Sequence, residues 1–147
     1  MSGRYDPLLL KNQLCFPIYL CAKEIVNRYA EPLAEIDLTY TQYLIMMYMW
    51  ETESATAKQI SDVLLLDQST LTPLLRKLEA KDYISRQRSD EDGRSSVITL
   101  TEKGYNLKDS ALCVPEKMRC CIDISEEEAV QLYMIVRKII NNIRKEK

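Results

Sequence analysis

The stretch that decides the fold is Asp67-Gln-Ser-Thr-Leu-Thr-Pro-Leu-Leu-Arg-Lys-Leu-Glu79, near the middle of the chain. One face of this stretch is apolar, because leucines recur at the i, i+3, i+4, i+7 spacing of a helix, at Leu71, Leu74, Leu75 and Leu78. The stretch predicts an amphipathic helix that ends near Ala80, and Pro73 limits how early that helix can begin.

The segments on either side extend this pattern. Before it, Thr56 is positioned to cap a short helix over Ala57–Leu64, with three side chains facing inward: Ile60, Val63 and Leu64. After it, the hydrophobic period changes to two over 83–88 and 95–100, which predicts a β-hairpin. Helix, turn, helix and hairpin together predict a winged helix-turn-helix lobe over residues 52–100.

The segments before this lobe also have helical patterns. A first helix is predicted over about 12–29, and Pro17 requires either a kink or a start near Phe16. Its apolar stripe comprises Leu14, Cys15, Ile18, Tyr19, Ala22, Ile25, Val26 and Tyr29. Thr39 with Gln42 predicts a capping box at the start of a second helix, which is apolar on nearly all sides and therefore buried.

Two further helices are predicted after the hairpin. Thr101 caps one of them, which Pro115 interrupts or ends. Ser125 with Glu128 predicts a capping box for the last helix, which runs to about Lys145. The apolar seam of that last helix has the 4-3-4 spacing of a coiled-coil contact that needs a partner, at Leu132, Val136, Ile139 and Ile143.

We therefore expect a mainly α fold with a small β-hairpin wing, in one domain over residues 1–147. The helices of 1–38 and 101–147 are expected to form a dimerisation region around the lobe. The length of 147 residues, with 46 % apolar and 29 % charged side chains, suits one globular core.

Composition argues against several classes of protein. No apolar run of about 18 residues is present, and no signal-peptide pattern opens the sequence, so a cytoplasmic protein without a membrane segment is expected. The odd number of cysteines, five, without a signal-peptide pattern argues against a disulfide framework, and the absence of C-x2-C pairs argues against structural zinc. Histidine, the commonest general base, is absent, so we expect no enzyme activity, metal or cofactor.

Polar and basic side chains mark a candidate DNA-binding surface. The major groove of DNA admits one helix, and the N-terminal residues of that helix meet the base edges. In the predicted recognition helix these residues are Gln68, Ser69, Thr70 and Thr72, followed by Arg76 and Lys77. On the hairpin, Arg86 and Arg88 share one strand face and Arg94 lies in the loop, where arginine suits a narrow minor groove.

Charge argues against DNA binding. The net charge is −2, and residues 67–100 carry six bases and six acids. Three of those acids, Asp90, Glu91 and Asp92, lie beside Arg94 and repel phosphate unless they face away. On composition and spacing alone, a helical protein-interaction module without DNA binding stays open.

The recognition and wing segments resemble a known family. Residues 67–79 closely resemble the recognition helix of the MarR family of bacterial regulators, and 92–104 resemble its wing and next helix. The resemblance implies a two-fold symmetric homodimer that binds a pseudo-palindromic double-stranded DNA operator. It also implies that the recognition-helix residues named above contact DNA, and that Arg86 and Arg94 do so from the wing.

The segments Asn12-Gln-Leu-Cys-Phe16 and 38–44 are similar to one branch of that family, the organic-hydroperoxide-resistance regulators. This resemblance implies that Cys15 is a redox sensor oxidised by organic hydroperoxide, in a pocket with three tyrosines: Tyr19, Tyr29 and Tyr40. Two-cysteine members of the branch carry a second, resolving cysteine. Cys120 falls at that position, and Cys121 is a less favoured substitute.

The chain departs from the branch at a few positions. Gln68-Ser69 stands where the branch has Ser-Gly, Thr41 where it has Pro, and Gly93 where it has Glu. The differences in the recognition helix and the wing affect which operator sequence is expected, and do not affect the expectation that the chain binds DNA. Pro17 stands two residues from Cys15 and therefore affects the expected local geometry of the sensor.

Helix geometry constrains the sensor pocket. Cys15 and Tyr29 share a stripe but stand 14 residues apart, which is roughly 21 Å along a straight helix. They cannot touch within one helix. Antiparallel pairing of two such helices across a two-fold axis would bring Tyr29 of one subunit to Cys15 of the other, so we predict a pocket at the dimer interface.

The sequence therefore predicts a redox-sensing repressor that releases its operator when Cys15 is oxidised. A cysteine senses peroxide only as the thiolate, which the start of a helix favours. One alternative is a repressor released by a small aromatic ligand. Another is a thiol peroxidase that uses Cys15 and Cys120, although no catalytic arginine stands beside Cys15 in the sequence.

Overall fold

The computed structural model describes residues 3–88 and 96–145. Seven α-helices and three strands are found there: α1 (Cys15–Ala34), α2 (Tyr40–Thr52), β1 (Ser54–Thr56), α3 (Ala57–Leu64), α4 (Gln68–Ala80), β2 (Ile84–Arg88), β3 (Ser96–Leu100), α5 (Glu102–Ala111), α6 (Cys113–Ile122) and α7 (Glu126–Lys145). Two 3-10 turns, Asp6–Leu8 and Leu10–Asn12, precede α1. In the described part of the chain, no helix is long and apolar enough to cross a membrane.

Side-chain caps set the starts of several helices as predicted. The Thr39 side chain accepts from the Gln42 backbone N–H, and the Gln42 side chain accepts from the Thr39 backbone N–H. Ser125 and Glu128 exchange the same two bonds before α7, so both predicted capping boxes are confirmed. Thr56 caps α3 with a third such box, because Gln59 supplies the reciprocal bond.

The sheet has one strand more than predicted. The strand order is β1-β3-β2, and both pairings are antiparallel, with Ala55 opposite Ile98 and Arg86 opposite Ile98 on the other side. The sequence analysis missed β1 because three residues between two helices are too few to show an alternating pattern. The tip of the hairpin, residues 89–95, lies outside the described residues.

Prolines explain where the other boundaries differ. The first helix begins at Cys15 rather than near Asn12, which places Pro17 in the first turn, where no intrahelical N–H is needed. The helix that Thr101 caps, α5, ends at Ala111, and a separate helix that was not predicted, α6, holds Pro115 in its first turn. The expectation from Pro73 was wrong: α4 begins at Gln68 and holds this proline inside.

The hydrophobic core is shared by α2, α3, α4 and the sheet. The leucine face of α4 is its centre: Leu71 and Leu78 are fully buried and Leu75 is 1 % exposed. Ile60 of α3 is also fully buried. Val63 was predicted to face inward, but it is 55 % exposed, because the eight-residue helix buries only the side that carries Ile60.

Trp50 and Gly104 join this core to the helices after the sheet. The Trp50 indole Nε1–H donates to the backbone oxygen of Gly104 at 2.9 Å. A Cβ atom on Gly104 would lie 1.9 Å from the backbone oxygen of Tyr83, so only glycine allows α5 to approach the strand this closely.

We expect the Gly104→Ala protein to be less stable than the wild type by about 1–3 kcal/mol, the usual range for overpacking. The reason is that the added methyl group meets backbone, which cannot move as a flexible side chain does. Urea unfolding followed by circular dichroism measures the change. Gly3→Ala is the matched control, because its Cβ atom would meet only the Asp6 side chain, at 3.2 Å. Equal stability of the two variants would contradict the packing argument.

Candidate functional site

The first turn of α4 presents a polar surface. Gln68, Ser69 and Thr70 are exposed there, and Thr72 is partly buried one turn later. Asp67 precedes the helix in extended backbone, and its side chain makes no capping hydrogen bond. The free backbone N–H groups of this turn, together with the hydroxyls, can therefore bond phosphate oxygens or base edges.

Basic side chains continue this surface. Arg76 and Lys77 are exposed on α4, on the side away from the buried leucines. Arg86 is partly buried in the central part of β2. Arg94, predicted to act from the wing, lies outside the described residues. The buried leucines hold α4 against the core, so its polar face is oriented as one rigid unit.

Cys15 is the first residue of α1 and is exposed. Leu14, the residue before the helix, has helical backbone and makes no capping hydrogen bond through its side chain. It therefore does not occupy the N–H groups of the first turn. Pro17 fits at the third position of the helix without displacing Cys15 from its start. The thiol therefore stands at a positive helix end that is open to a small reagent.

Two of the three predicted sensor tyrosines lie together. The ring centroids of Tyr29 and Tyr40 are 4.7 Å apart. Tyr43, which the sequence analysis did not single out, lies 6.0 Å from Tyr29 by the same measure. Its only sequence signal was its place in the apolar run of α2. Tyr19 stands apart near the start of α1 and is 62 % exposed.

Two tyrosines of this cluster, Tyr29 and Tyr43, have raised pKa values. Burial raises the pKa of Tyr29, and the charge that Tyr40 would carry as phenolate raises it further. Burial is also the largest cause that raises the pKa of Tyr43, followed by the neighbouring Tyr29. Both phenols therefore keep their O–H donors at neutral pH and can donate to an anionic sulfur or to a peroxide oxygen.

Cys120 lies at the tyrosine end of α1 rather than at the Cys15 end. Cys120 and Tyr29 line one open cavity of about 800 Å³ between α1, α6 and the start of α7. Cys120 and Cys121 also line a second cavity, of about 440 Å³, with Arg28 of α1. Since Tyr29 stands roughly 21 Å along the helix from Cys15, one chain does not bring Cys15 and Cys120 together.

The apolar faces of the outer helices are unpaired within one chain. Most of the predicted stripe of α1 is exposed rather than buried, with Ile25 and Tyr29 the partly buried exceptions. Large apolar side chains of α7 are 49–63 % exposed: Val130, Leu132, Tyr133, Met134, Ile135 and Ile143. So many exposed large apolar side chains favour an interaction surface on these helices.

Comparison with known sequences identifies the family. The profile described as transcriptional regulator SarA/Rot matches residues 28–111. The chain is 39 % identical over 132 residues to the organic hydroperoxide resistance transcriptional regulator of Bacillus subtilis, with 90 % of each protein covered. It is 42 % identical over 135 residues to the HTH-type transcriptional regulator SarZ of Staphylococcus aureus, with 92 % of this chain and 86 % of that protein covered.

Solved structures of AbfR, from Staphylococcus epidermidis, have the same fold. Reduced AbfR bound to DNA aligns with a TM-score of 0.78 and 28 % identity, covering 96 % of this chain and 99 % of AbfR. The disulfide form aligns with a TM-score of 0.65 and 30 % identity, over 93 % and 96 % of the two chains. The fold thus aligns better with the reduced, DNA-bound form of AbfR than with its disulfide form, and the overoxidised DNA-bound form aligns nearly as well, with a TM-score of 0.77.

The sequence relatives cover most of the chain and are transcriptional regulators rather than enzymes. Together with the winged helix-turn-helix around α4, they establish that the chain belongs to the MarR-type family of transcriptional regulators, in the branch of the organic hydroperoxide resistance regulators.

Proposed function

We propose that this protein is a cytoplasmic homodimeric repressor that binds a pseudo-palindromic operator and releases it when organic hydroperoxide oxidises Cys15. The observation that carries the proposal is the position of Cys15, exposed at the first residue of α1. The other end of the same helix packs beside the tyrosine cluster and the cavity that contains Cys120. Oxidation of Cys15 therefore acts on a helix that connects the sensor to the rest of the fold.

The unpaired faces of α1 and α7 support the homodimer. A second copy would cover the exposed apolar side chains of both helices, which otherwise remain in water at a free-energy cost. With two α1 helices antiparallel, the thiol of Cys15 in one subunit meets Tyr29 and Tyr40 in the other. The proposed sensor pocket is complete only in the dimer, and its phenol groups donate to the thiolate.

The chemistry follows from the thiolate. The Cys15 thiolate attacks the terminal oxygen of the hydroperoxide and the O–O bond breaks, which leaves a sulfenic acid on Cys15 and an alkoxide that takes up a proton from water to become the alcohol. The Cys120 thiol of the second subunit then attacks the Cys15 sulfur and releases water, so an intersubunit disulfide forms. The cavity that Cys120 shares with Tyr29 gives the incoming sulfur a route to the Cys15 of the second copy.

Release of DNA follows from dimer geometry. Two recognition helices must fit successive major grooves at a fixed half-site spacing. A disulfide between α1 of one subunit and α6 of the other moves the two lobes, so the spacing between the two α4 helices no longer matches the operator.

A repressor released by a small aromatic ligand is the second candidate. The cavity of about 440 Å³ between α1 and α6 favours it, because Met118 and Pro32 supply an apolar wall and Arg28 supplies a cation. In that case an aromatic carboxylate would release the operator from a Cys15→Ser protein, and peroxide would have no effect on wild type.

We expect Cys15→Ser to bind operator DNA as the reduced wild type does but to ignore oxidant. After treatment with cumene hydroperoxide, wild-type affinity should fall by about tenfold or more, within the usual range of allosteric coupling. A gel shift with DNA from the upstream region of its own gene, followed by dithiothreitol, measures this loss and its reversal. The proposal fails if Cys15→Ser loses DNA as readily as wild type.

We expect Cys120→Ser to abolish the cross-linked dimer that oxidised wild type shows on a non-reducing gel, because the resolving thiol is gone. Cys21→Ser is the matched control, since Cys21 is also an exposed cysteine of this chain. If the cross-link persists in Cys120→Ser and disappears in Cys121→Ser, Cys121 is the resolving residue. A cross-link that survives in a protein lacking both thiols would overturn the disulfide step.

We expect Arg76→Met to weaken operator binding by about 1–3 kcal/mol, because this exposed guanidinium follows the recognition turn on α4. Fluorescence anisotropy at several salt concentrations separates a phosphate contact, which lowers the salt slope by about one, from a base contact. Lys108→Met on α5 removes the same formal charge elsewhere and should leave affinity near that of wild type. Equal losses in the two variants would remove Arg76 from the interface.

A further inference from the structure

The ends of α1 and α4 have the same structure. After α1, the Leu38 N–H donates to the Leu33 oxygen at 3.0 Å, and the Asp37 N–H donates to the Ala34 oxygen at 3.2 Å. After α4, the Tyr83 N–H donates to the Leu78 oxygen at 3.0 Å, and the Asp82 N–H donates to the Glu79 oxygen at 2.9 Å, so the pattern repeats. Each turn is therefore a fixed cap rather than a loose linker.

Lys81 connects the two ends. It stands directly after α4, and its ammonium group lies 3.1 Å from the Asp37 carboxylate and donates to the Asp37 backbone oxygen at 2.5 Å. The Lys81 side chain is 27 % exposed, whereas the Asp37 side chain is 74 % exposed, so the carboxylate of this ion pair is largely in solvent. Two bonds to one residue fix the ammonium group more firmly than a single surface ion pair does, because both oxygens move with the same turn.

The segment after the sheet also contacts the end of α4. The Lys103 ammonium donates to the Lys81 backbone oxygen at 2.8 Å and lies 5.1 Å from the centre of the Tyr83 ring. The Thr101 hydroxyl donates to the Asp82 oxygen at 2.6 Å. Burial raises the pKa of Tyr83, and the nearby Asp37 charge raises it further. Lys81 therefore joins the end of α4 to the end of α1, and Lys103 and Thr101 join the end of α4 to the segment after the sheet.

We infer that Lys81 is a positioning residue that couples the sensor helix to the recognition helix, an inference that rests on the proposed redox function. A displacement of α1 moves the rigid turn at Asp37, which carries the Lys81 ammonium group with it. Because Lys81 is the cap of α4, the recognition helix follows. The polar face of α4 is thereby reoriented through a salt bridge that lies 66 residues beyond Cys15 in sequence.

The test compares operator affinity before and after oxidation in wild type and Lys81→Met. Lys81→Met keeps an unbranched side chain but removes both bonds to Asp37. We expect the ratio of oxidised to reduced Kd to fall by about fivefold relative to wild type, the lower end of usual allosteric coupling. For Asp37→Asn we expect a smaller fall in this ratio, because asparagine tolerates the left-handed turn (φ 53°) and the backbone oxygen that accepts from Lys81 is kept.

Lys108→Met is the charge-matched control and should keep the wild-type ratio. Circular dichroism and thermal unfolding show that the variants are folded, and a non-reducing gel shows whether oxidation still cross-links the dimer. A weaker Kd for Lys81→Met with an unchanged ratio would make Lys81 merely structural and overturn the inference. A wild-type ratio of one would instead overturn the proposed redox function, so the two failures are distinguishable.

Discussion

The length of α1 is the constraint on which the sensor mechanism depends. A straight helix keeps Cys15 roughly 21 Å from Tyr29, while the tyrosine cluster and the Cys120 cavity lie at the Tyr29 end. A thiol and its donors so far apart cannot form a pocket in one chain. In the homodimer proposed above, the exposed apolar faces of α1 and α7 have two roles, because covering them also assembles the proposed pocket.

A second constraint is the contrast between the two faces of α4. The leucine face is buried almost completely, whereas the face with Ser69, Thr70 and Arg76 is exposed. A helix held by such burial moves as one body with its lobe, because well-packed cores do not deform continuously. A modest rotation of the lobe is therefore enough to misplace every polar side chain of α4 together.

The sequence predicted those parts of the fold that local chemistry determines. Thr39 and Ser125 form the expected capping boxes, and the range of α3 was predicted residue for residue. The strand β1 was not predictable, because three residues acquire their conformation from pairing with β3. For α1, periodicity showed that one face is apolar but not whether its own chain or a second one covers it, and most of that face is exposed in one chain.

In the candidate site, too, local sequence indicated some features while others depend on contacts between distant segments. The motif around Cys15 indicated the sensor, but nothing in the spacing of Tyr43, Asp37 or Lys81 indicated their place in the structure, since each depends on contacts between distant segments. Asp37 illustrates why this matters. Glycine would fit its left-handed backbone with less strain, but only a carboxylate adds an ion pair to the Lys81 ammonium group at the end of α4. The left-handed turn at Asp37 therefore stands where the ends of α1 and α4 meet, and the two caps are joined there by an ion pair that glycine could not supply.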